Sequence, residues 1–351
     1  MSASLRVRDP SPRATDGEIA AINLQSARRR AWTRFAQNPC APGVAEAILE
    51  NERLAVEFLG DYQALDRLAV VASQLSCQEA SSRAALIEAE VAAVAHRFNS
   101  ALAHLERAAL LQAPMEDIAR HRLTIDQACG RHLDAVLAAR RRLAASGRLD
   151  DLAPLGAVLA DLGRIDEADA TYRRALREYD GLSPFPLAWV CFQLGVLWGE
   201  LAPEPNADRA ADWFGRAIDY LPAYVKARVH LAEILAGHGQ TRNAERLLRP
   251  ALASGDPEVR WRLAEVLNAQ GRFDEAKREL SAARALFEEL LRKHQLAFAD
   301  HAAEFFSGNG GDHALALEFA RANLANRPTR RAFELVHAIA QAGRCGAETP
   351  A

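Results

Sequence analysis

The stretch DPEVRWRLAEVLNAQGRFDEAKRELSAAR, residues 256–284, decides the fold. Its apolar residues recur at helical spacing in two blocks, which Gly271 separates. The small residues Ala264 and Ala276 allow two antiparallel helices to approach closely, and leucines one turn away fill the space beside them. The stretch therefore predicts a helical hairpin with one apolar face, which only a neighbouring copy can cover.

The same pattern recurs along the chain. The first helices carry a leucine followed by a small residue, at Leu155-Gly156, Leu194-Gly195, Leu231-Ala232 and Leu263-Ala264. The second helices carry an alanine near their start, at Ala168, Ala210, Ala244, Ala276 and Ala316, with separations of 42, 34, 32 and 40 residues. The two longer separations predict extra loop or helix at residues 201–208 and 286–294.

This pattern resembles the tetratricopeptide repeat, whose period is about 34 residues. The resemblance implies an all-α fold, a right-handed superhelical solenoid of antiparallel helix hairpins, with the array over residues 150–328. A capping helix is expected over 329–344 with Phe333, Val336 and Ile339 turned inward, because an array needs a covered end. Residues 345–351 are expected to form a disordered tail.

Composition agrees with a helical protein. Half of the 351 residues are hydrophobic and a quarter are charged, and helix formers dominate. One continuous array is expected, in which each repeat contacts only its neighbours. The net charge of −3 argues against a general nucleic-acid-binding surface. The five cysteines are scattered, so neither a disulfide framework nor a zinc site is indicated.

The first 149 residues carry weaker signals. Residues 1–17 predict a disordered leader, and no long apolar run predicts a membrane span, so the expected location is cytoplasmic. Residues 18–149 predict a helix over 18–37 and three degenerate hairpins, at 43–59 with 62–75, 81–96 with 100–111, and 115–129 with 132–146. A separate helical bundle would show the same periodicity. The Arg28-Arg29-Arg30 run favours a solvated face over a membrane or nucleic-acid contact.

Candidate chemistry is sparse. The glycine-rich segment 306–312 joins two helices and lacks the Lys-Ser or Lys-Thr of a phosphate loop, so an inter-helix turn with Asp312 as N-cap is expected. His301 and Glu304 share a helical face without a metal-binding spacing. The sequence therefore predicts no catalytic residue, metal or cofactor, and a protein that is not an enzyme.

The family resemblance implies a site. In tetratricopeptide arrays the first helix of each pair lines a concave groove, which takes a protein or peptide partner. The corresponding positions here are mixed aromatic and polar, at Trp189, Phe192, Gln193, Lys226, His230, Glu233, Trp261, Arg262, Glu265, Asn268, His301 and Phe305. The aromatic members are expected to be exposed binding anchors, although each could instead pack against the next repeat. For the family's grip on a C-terminal carboxylate, Lys226, Arg262 and Asn268 form only a partial set.

The expected function is an interaction scaffold that binds a peptide or partner helix in the groove. An alternative is an accessory or sensor subunit of a larger enzyme, transport or assembly system, and an enzyme of unrecognised class is a third. The sequence leaves the oligomeric state open.

Overall fold

The computed structural model describes the backbone of residues 13–78 and 81–347 and the side chains of 13–76 and 81–343. Every regular element in these ranges is helical, which confirms the predicted all-α class. The predicted leader falls mostly, and the tail partly, outside the described residues. The α-helices are α1 Gly17–Gln37, α2 Val44–Leu59, α3 Gln63–Gln78, α4 Ser82–Val94, α5 Phe98–Leu110, α6 Met115–Ala128, α7 Leu133–Leu143, α8 Leu149–Asp161, α9 Ile165–Glu178, α10 Pro184–Val196, α11 Ala207–Tyr220, α12 Val225–Gly237, α13 Thr241–Leu248, α14 Pro257–Ala269, α15 Phe273–Ser307, α16 His313–Asn326 and α17 Arg330–Ala347.

The hairpin predicted over 256–284 is α14 and the start of α15. The side chain of Asp256 caps α14 by accepting a hydrogen bond from the Glu258 amide at 2.9 Å. Gly271 adopts the left-handed conformation between the helices, with φ of 77°. Ala264 and Ala276 are both buried in the core that the hairpin shares with α12 and α13. The close approach that the small residues predicted is therefore present.

Helix α15 reverses direction at His294. The backbone of that residue is not helical (φ −138°, ψ 46°). Phe287 and Phe305 are eighteen residues apart, yet their rings stack with centroids 4.8 Å apart. In a straight helix the same separation would span about 27 Å. Helix α15 thus consists of two arms, residues 273–293 and 295–307, and the predicted insertion at 286–294 is helical up to the reversal at His294.

The contacts divide the chain into two compact units. The first unit holds the described residues up to Ile22 together with Leu137–Pro222. The second unit holds Asn23–Val136 together with the described residues from Ala223 onward. Helices α1 and α7 each contribute to both units.

In the second unit the N-terminal helices pack against C-terminal repeats. The Gly255 amide donates to the Gly60 carbonyl at 2.9 Å. The Asn326 side chain donates to the His96 carbonyl at 2.9 Å. These pairs join residues about 200 positions apart in the sequence. The expectation that each hairpin contacts only its neighbours is therefore wrong for this unit.

The C-terminal helix α17 differs in part from its prediction. Ile339 is 3% exposed and lies in the core formed with α15 and α16, and Val336 packs against that core. Phe333 is 57% exposed, so its predicted inward orientation is wrong. Phe333 lies six residues before Ile339, more than one and a half helical turns away, which turns it to another side of the helix. In the first turn of α17, the buried residue is Ala332.

The glycine-rich segment is an inter-helix turn, as predicted. It connects α15 to α16, and the Asp312 side chain accepts from the Leu315 amide at 3.0 Å as the N-cap of α16. Arg284 donates to the carbonyl of Gly310. The segment therefore contributes to packing between the first arm of α15 and the turn.

Candidate functional site

The predicted groove residues fall in both units. Trp189, Phe192 and Gln193 lie on α10 in the first unit, and the other nine lie on α12, α14 and the second arm of α15 in the second unit. Trp189 and Gln193 are half-buried, and Asn268 is exposed. The remaining polar members lie together on one surface of the second unit.

Three of the four aromatic members are buried, so their predicted exposure is wrong. Phe192, Trp261 and Phe305 all lie in the core. Phe192 packs beside Phe214, with ring centroids 5.4 Å apart. Helix α10 is apolar on nearly all sides, so its core side extends further around the helix than the family pattern implies.

Trp261 was predicted to line the groove but lies in the core, and its contacts show why. Its indole nitrogen donates to the Asn309 side chain at 2.9 Å, which satisfies the one polar atom of the ring. Its ring meets Phe305 edge to face, with centroids 5.4 Å apart. The Arg262 guanidinium covers it at 3.8 Å from the ring centroid. Trp261 is therefore 4% exposed and cannot contact a partner in this structure.

The polar residues form a surface that we call the first-helix face. It is built from the first helices of three successive hairpins: α12, α14 and the second arm of α15. Its members are Lys226, His230, Glu233, Glu258, Arg262, Glu265, Asp300, His301 and Glu304.

Ion pairs connect the three helices of this face. Arg262 of α14 contacts Glu233 of α12 at 2.6 Å and Glu265 on its own helix at 3.2 Å. His301 of α15 pairs with Glu258 of α14. The side chain of His301 is nevertheless 48% exposed, so the face is open to solvent at this point.

The charges of the face alter the pKa values of its members. Burial alone would lower the pKa of His301, but the Glu258 and Asp300 carboxylates outweigh burial and raise that pKa to about 10. His301 is therefore a cation near neutral pH. Burial would raise the pKa of Glu258, but the charge and hydrogen bond of His301 outweigh it and lower the pKa. Burial, followed by repulsion from Glu258, raises the pKa of Asp256, the N-cap residue of α14.

The face is acidic in sum. It holds five carboxylates, on Glu233, Glu258, Glu265, Asp300 and Glu304. Its full cations are Lys226, Arg262 and the protonated His301, and Lys226 already pairs with Glu57 of α2 at 3.0 Å. From outside the face, Arg327 at the end of α16 pairs with Asp300 at 3.7 Å, so the carboxylates still outnumber the cations. Burial raises the pKa of Glu233 and of Glu304 in the presence of neighbouring carboxylates. A positively charged ligand would reduce the repulsion among these neighbouring carboxylates.

Sequence reasoning missed the residues that close one end of this face. The end of α2, the turn at 60–62 and the start of α3 lie against the N-terminal ends of α12 and α14 and against the start of the second arm of α15. The contacts are made by Glu57 of α2, Tyr62 of the turn and Asp66 of α3, which pair with residues between 167 and 228 positions away. No local pattern in the sequence signals pairs at such a distance.

In the described part of the chain, no group of three or more histidine, cysteine, aspartate or glutamate side chains is placed to hold a metal ion. Among the helices described, none is long and apolar enough to cross a membrane.

A family model described as tetratricopeptide repeat matches residues 235–289. Residues 235–289 therefore have the tetratricopeptide repeat pattern. The matched segment includes the hairpin at 256–284, which confirms the resemblance drawn from the sequence. Proteins of this repeat type serve in general as interaction scaffolds, and the fold supports that general role. No curated protein matches the chain.

Several solved structures are similar to this chain. A tetratricopeptide repeat protein from Parabacteroides merdae is 15% identical, with 79% of this chain and 99% of that chain covered and a TM-score of 0.42. A thermophilic tetratricopeptide repeat protein from Thermus thermophilus is 21% identical, with 55% and 98% covered and a TM-score of 0.37. The human IFIT1 dimer with m7Gppp-AAAA is 16% identical, with 88% and 78% covered and a TM-score of 0.49.

Proposed function

We propose that this protein is an interaction scaffold whose first-helix face binds a basic segment of a protein partner. The observation that carries the proposal is the excess of carboxylates over cations on a solvent-open surface made by three successive first helices. A lysine or arginine of the partner would pair with Glu265 or Glu304. Asn268 at the end of α14 is a further proposed partner contact. Trp189 and Gln193 on α10 are proposed contacts of the first unit.

The buried aromatic residues have a different role in this proposal. Trp261 and Phe305 hold α14 against the second arm of α15, so they fix the spacing of the charged residues rather than contact the partner. Arg262 also has a positioning role, because it covers Trp261 and joins Glu233 to Glu265. Recognition then depends on charge, and its strength should fall as salt screens the face.

The charge also weighs against an acidic peptide end on this face. Lys226 and Arg262 are the cations that such an end would use, and both already pair with carboxylates of the chain. We therefore assign the face to a basic segment, which can be extended or helical.

Binding of oligolysine and oligoglutamate peptides to the purified protein tests the proposal. We expect oligolysine to bind the parent and to lose at least about tenfold in affinity, 1.4 kcal/mol, in the variant Glu265→Lys/Glu304→Lys. The matched control Asp274→Lys/Glu318→Lys adds the same charge at exposed positions outside the first-helix face. Equal oligolysine affinity for the two variants would overturn the proposal.

Chemical cross-linking extends the test to natural partners. Partners captured from an extract should cross-link through their lysines to segments around Glu265 and Glu304. Cross-links that lie only outside α12, α14 and the second arm of α15 would assign binding to another surface.

A further inference from the structure

Helices α1, α2 and α3 border a groove of about 530 Å³ in the second unit. This volume lies in the range of roughly 300 to 1,000 Å³ that small-molecule sites occupy. The groove walls carry a tryptophan and three arginines, at Trp32, Arg28 and Arg29 of α1 and at Arg67 of α3. The groove shares no residue with the first-helix face. It is therefore a second candidate site, and its walls are cationic where that face is acidic.

One side of α1 supplies most of the groove. Its lining residues repeat at three- and four-residue spacing, which places them on one side of a helix, at Gln25, Arg28, Arg29, Trp32 and Thr33. Leu24, Ala31 and Phe35 bury another side of the same helix. Arg28 departs from the solvated face expected for the arginine run, because its side chain is 16% exposed and is held by Glu52 at the groove floor.

Glu52 holds the groove arginines in place. It is 1% exposed, and its carboxylate accepts from the Trp32 indole nitrogen at 2.8 Å. The Nη2 atoms of Arg28 and Arg67 each contact Glu52 Oε2 at 2.8 Å. The same two Nη2 atoms contact Asp61 Oδ2, at 2.6 and 2.7 Å. The two guanidiniums are therefore close neighbours with a fixed separation.

The groove keeps hydrogen-bond donors and positive charge that the chain does not use. Arg28 and Arg67 bond through Nε and Nη2, and their Nη1 groups have no partner in the part of the chain that the structure describes. The exposed guanidinium of Arg29 donates to the Ser26 hydroxyl at 3.3 Å, and no carboxylate pairs with it among the described side chains. The two carboxylates balance two of the three arginines, so one positive charge is left over.

We propose that this groove binds a phosphate group joined to an aromatic ring, the chemistry that nucleotides and phosphotyrosine share. Guanidinium groups bind phosphate through paired N–H donors, and three of them along one groove suit the several oxygens of a tetrahedral anion. The half-buried ring of Trp32 and the planar guanidiniums offer stacking surfaces for the aromatic part. Glu52 and Asp61 are positioning residues, because they fix the arginines before a ligand arrives and so reduce the ordering cost of binding.

Fluorine NMR of protein labelled with fluorotryptophan locates the binding. The chain has five tryptophans, and the signal that is lost in Trp32→Phe belongs to Trp32. Trp189, Trp198 and Trp213 of the first unit and the buried Trp261 serve as internal references. The ligands to titrate are adenosine monophosphate, O-phosphotyrosine, adenosine and inorganic phosphate.

Two double variants separate binding in the groove from a general effect of charge. Gln25→Glu/Thr33→Glu places two carboxylates at exposed positions on the groove wall. Asn23→Glu/Gln37→Glu places two carboxylates at exposed positions of α1 that do not line the groove. Because all four positions are exposed, neither variant should disturb the helical core.

We expect adenosine monophosphate or O-phosphotyrosine to shift the Trp32 signal of the parent, and the tighter of the two identifies the source of the phosphate. Gln25→Glu/Thr33→Glu should bind that ligand at least about tenfold more weakly than Asn23→Glu/Gln37→Glu. Equal affinity in the two double variants, or a Trp32 signal that neither ligand shifts, would overturn the proposal. So would inorganic phosphate or adenosine that binds as tightly as the phosphorylated ring. Oligolysine binding does not enter this test, so the basic-segment proposal fails or stands separately.

Discussion

In the first unit, glycine faces an aromatic ring where the two helices of a hairpin cross. A Cβ on Gly156 would lie 2.6 Å from the ring of Tyr172, and a Cβ on Gly195 would lie 2.4 Å from the ring of Phe214. In the second unit, alanine takes the place of the glycine and leucine that of the ring, as in the core shared by Ala264 and Leu280. The two units thus divide the same space differently: the first pairs the smallest residue with a ring, and the second pairs a slightly larger residue with a smaller side chain.

This difference gives the Leu-Gly and Leu-Ala pairs a physical meaning. A glycine in the first helix makes room for a ring from the second helix, whereas an alanine leaves room for a leucine. The pair in the first helix and the large residue in the second are therefore coupled, and either one predicts the other in this chain. The predictions below test the coupling and the difference between the two tryptophans that the sequence placed in one groove.

The largest expected effect separates Trp261 of the second unit from Trp189 of the first. Trp261→Ala should lower the free energy of unfolding by about 3 to 5 kcal/mol, because it leaves a cavity between α14 and the second arm of α15. It also removes the hydrogen-bond donor of the Asn309 side chain. Trp189 is half-buried and meets Tyr172 only at a ring centroid distance of 6.5 Å, so Trp189→Ala should cost clearly less. Urea unfolding of both variants measures this; equal losses would contradict the distinction.

The next effect tests the glycine and ring pair. Gly195→Ala should destabilise the protein by about 1 to 3 kcal/mol, because the added methyl group overlaps the ring of Phe214. The control is Gly215→Ala in α11, where a Cβ meets nothing within 4 Å. That change should stabilise the helix by about 0.5 to 1 kcal/mol. Thermal or urea unfolding of the two variants measures both changes.

A rescue sharpens the same comparison. Adding Phe214→Leu to Gly195→Ala converts the pair to the kind found in the second unit. The double variant should be more stable than the sum of the single losses by about 0.5 to 3 kcal/mol. Strict additivity in this double-mutant cycle would show that the two residues do not share one space.

A smaller effect concerns the first-helix face, which belongs to the second unit. His301→Gln should remove stability that is fully present below the ordinary histidine pKa and lost as pH rises through about 10, the folded-state pKa of His301. The His301 side chain is half exposed, so solvent screens the pair and its contribution is about 1 kcal/mol or less. The free energies of unfolding of parent and variant, measured from pH 6 to above pH 10, should therefore converge as the pH rises. His238→Gln, at an exposed position on the end of α12, is the matched control for the substitution itself.

The hairpins were predictable from the sequence because their determinants are local. Gly60, Gly271 and Asp312 each act within a few residues of their own position, and the period-3.6 pattern fixes the buried side of each helix. The site was less predictable. Glu57 meets Lys226 across 169 positions, and Trp261 is satisfied by Asn309 across 48. The side of a first helix that stays open depends on such distant partners, which periodicity does not encode.

The smallest expected effect lies on α17, where two apolar residues of one helix have different surroundings. Phe333 is exposed and Ile339 is buried in the core formed with α15 and α16. Phe333→Ser should change the free energy of unfolding by no more than about 0.5 kcal/mol, because the ring gives up little buried surface. Ile339→Ala, the matched comparison, should cost about 2 to 5 kcal/mol. If Phe333→Ser proved as costly as Ile339→Ala, the ring would have to pack against the repeats, and the inward orientation expected from the sequence would be restored.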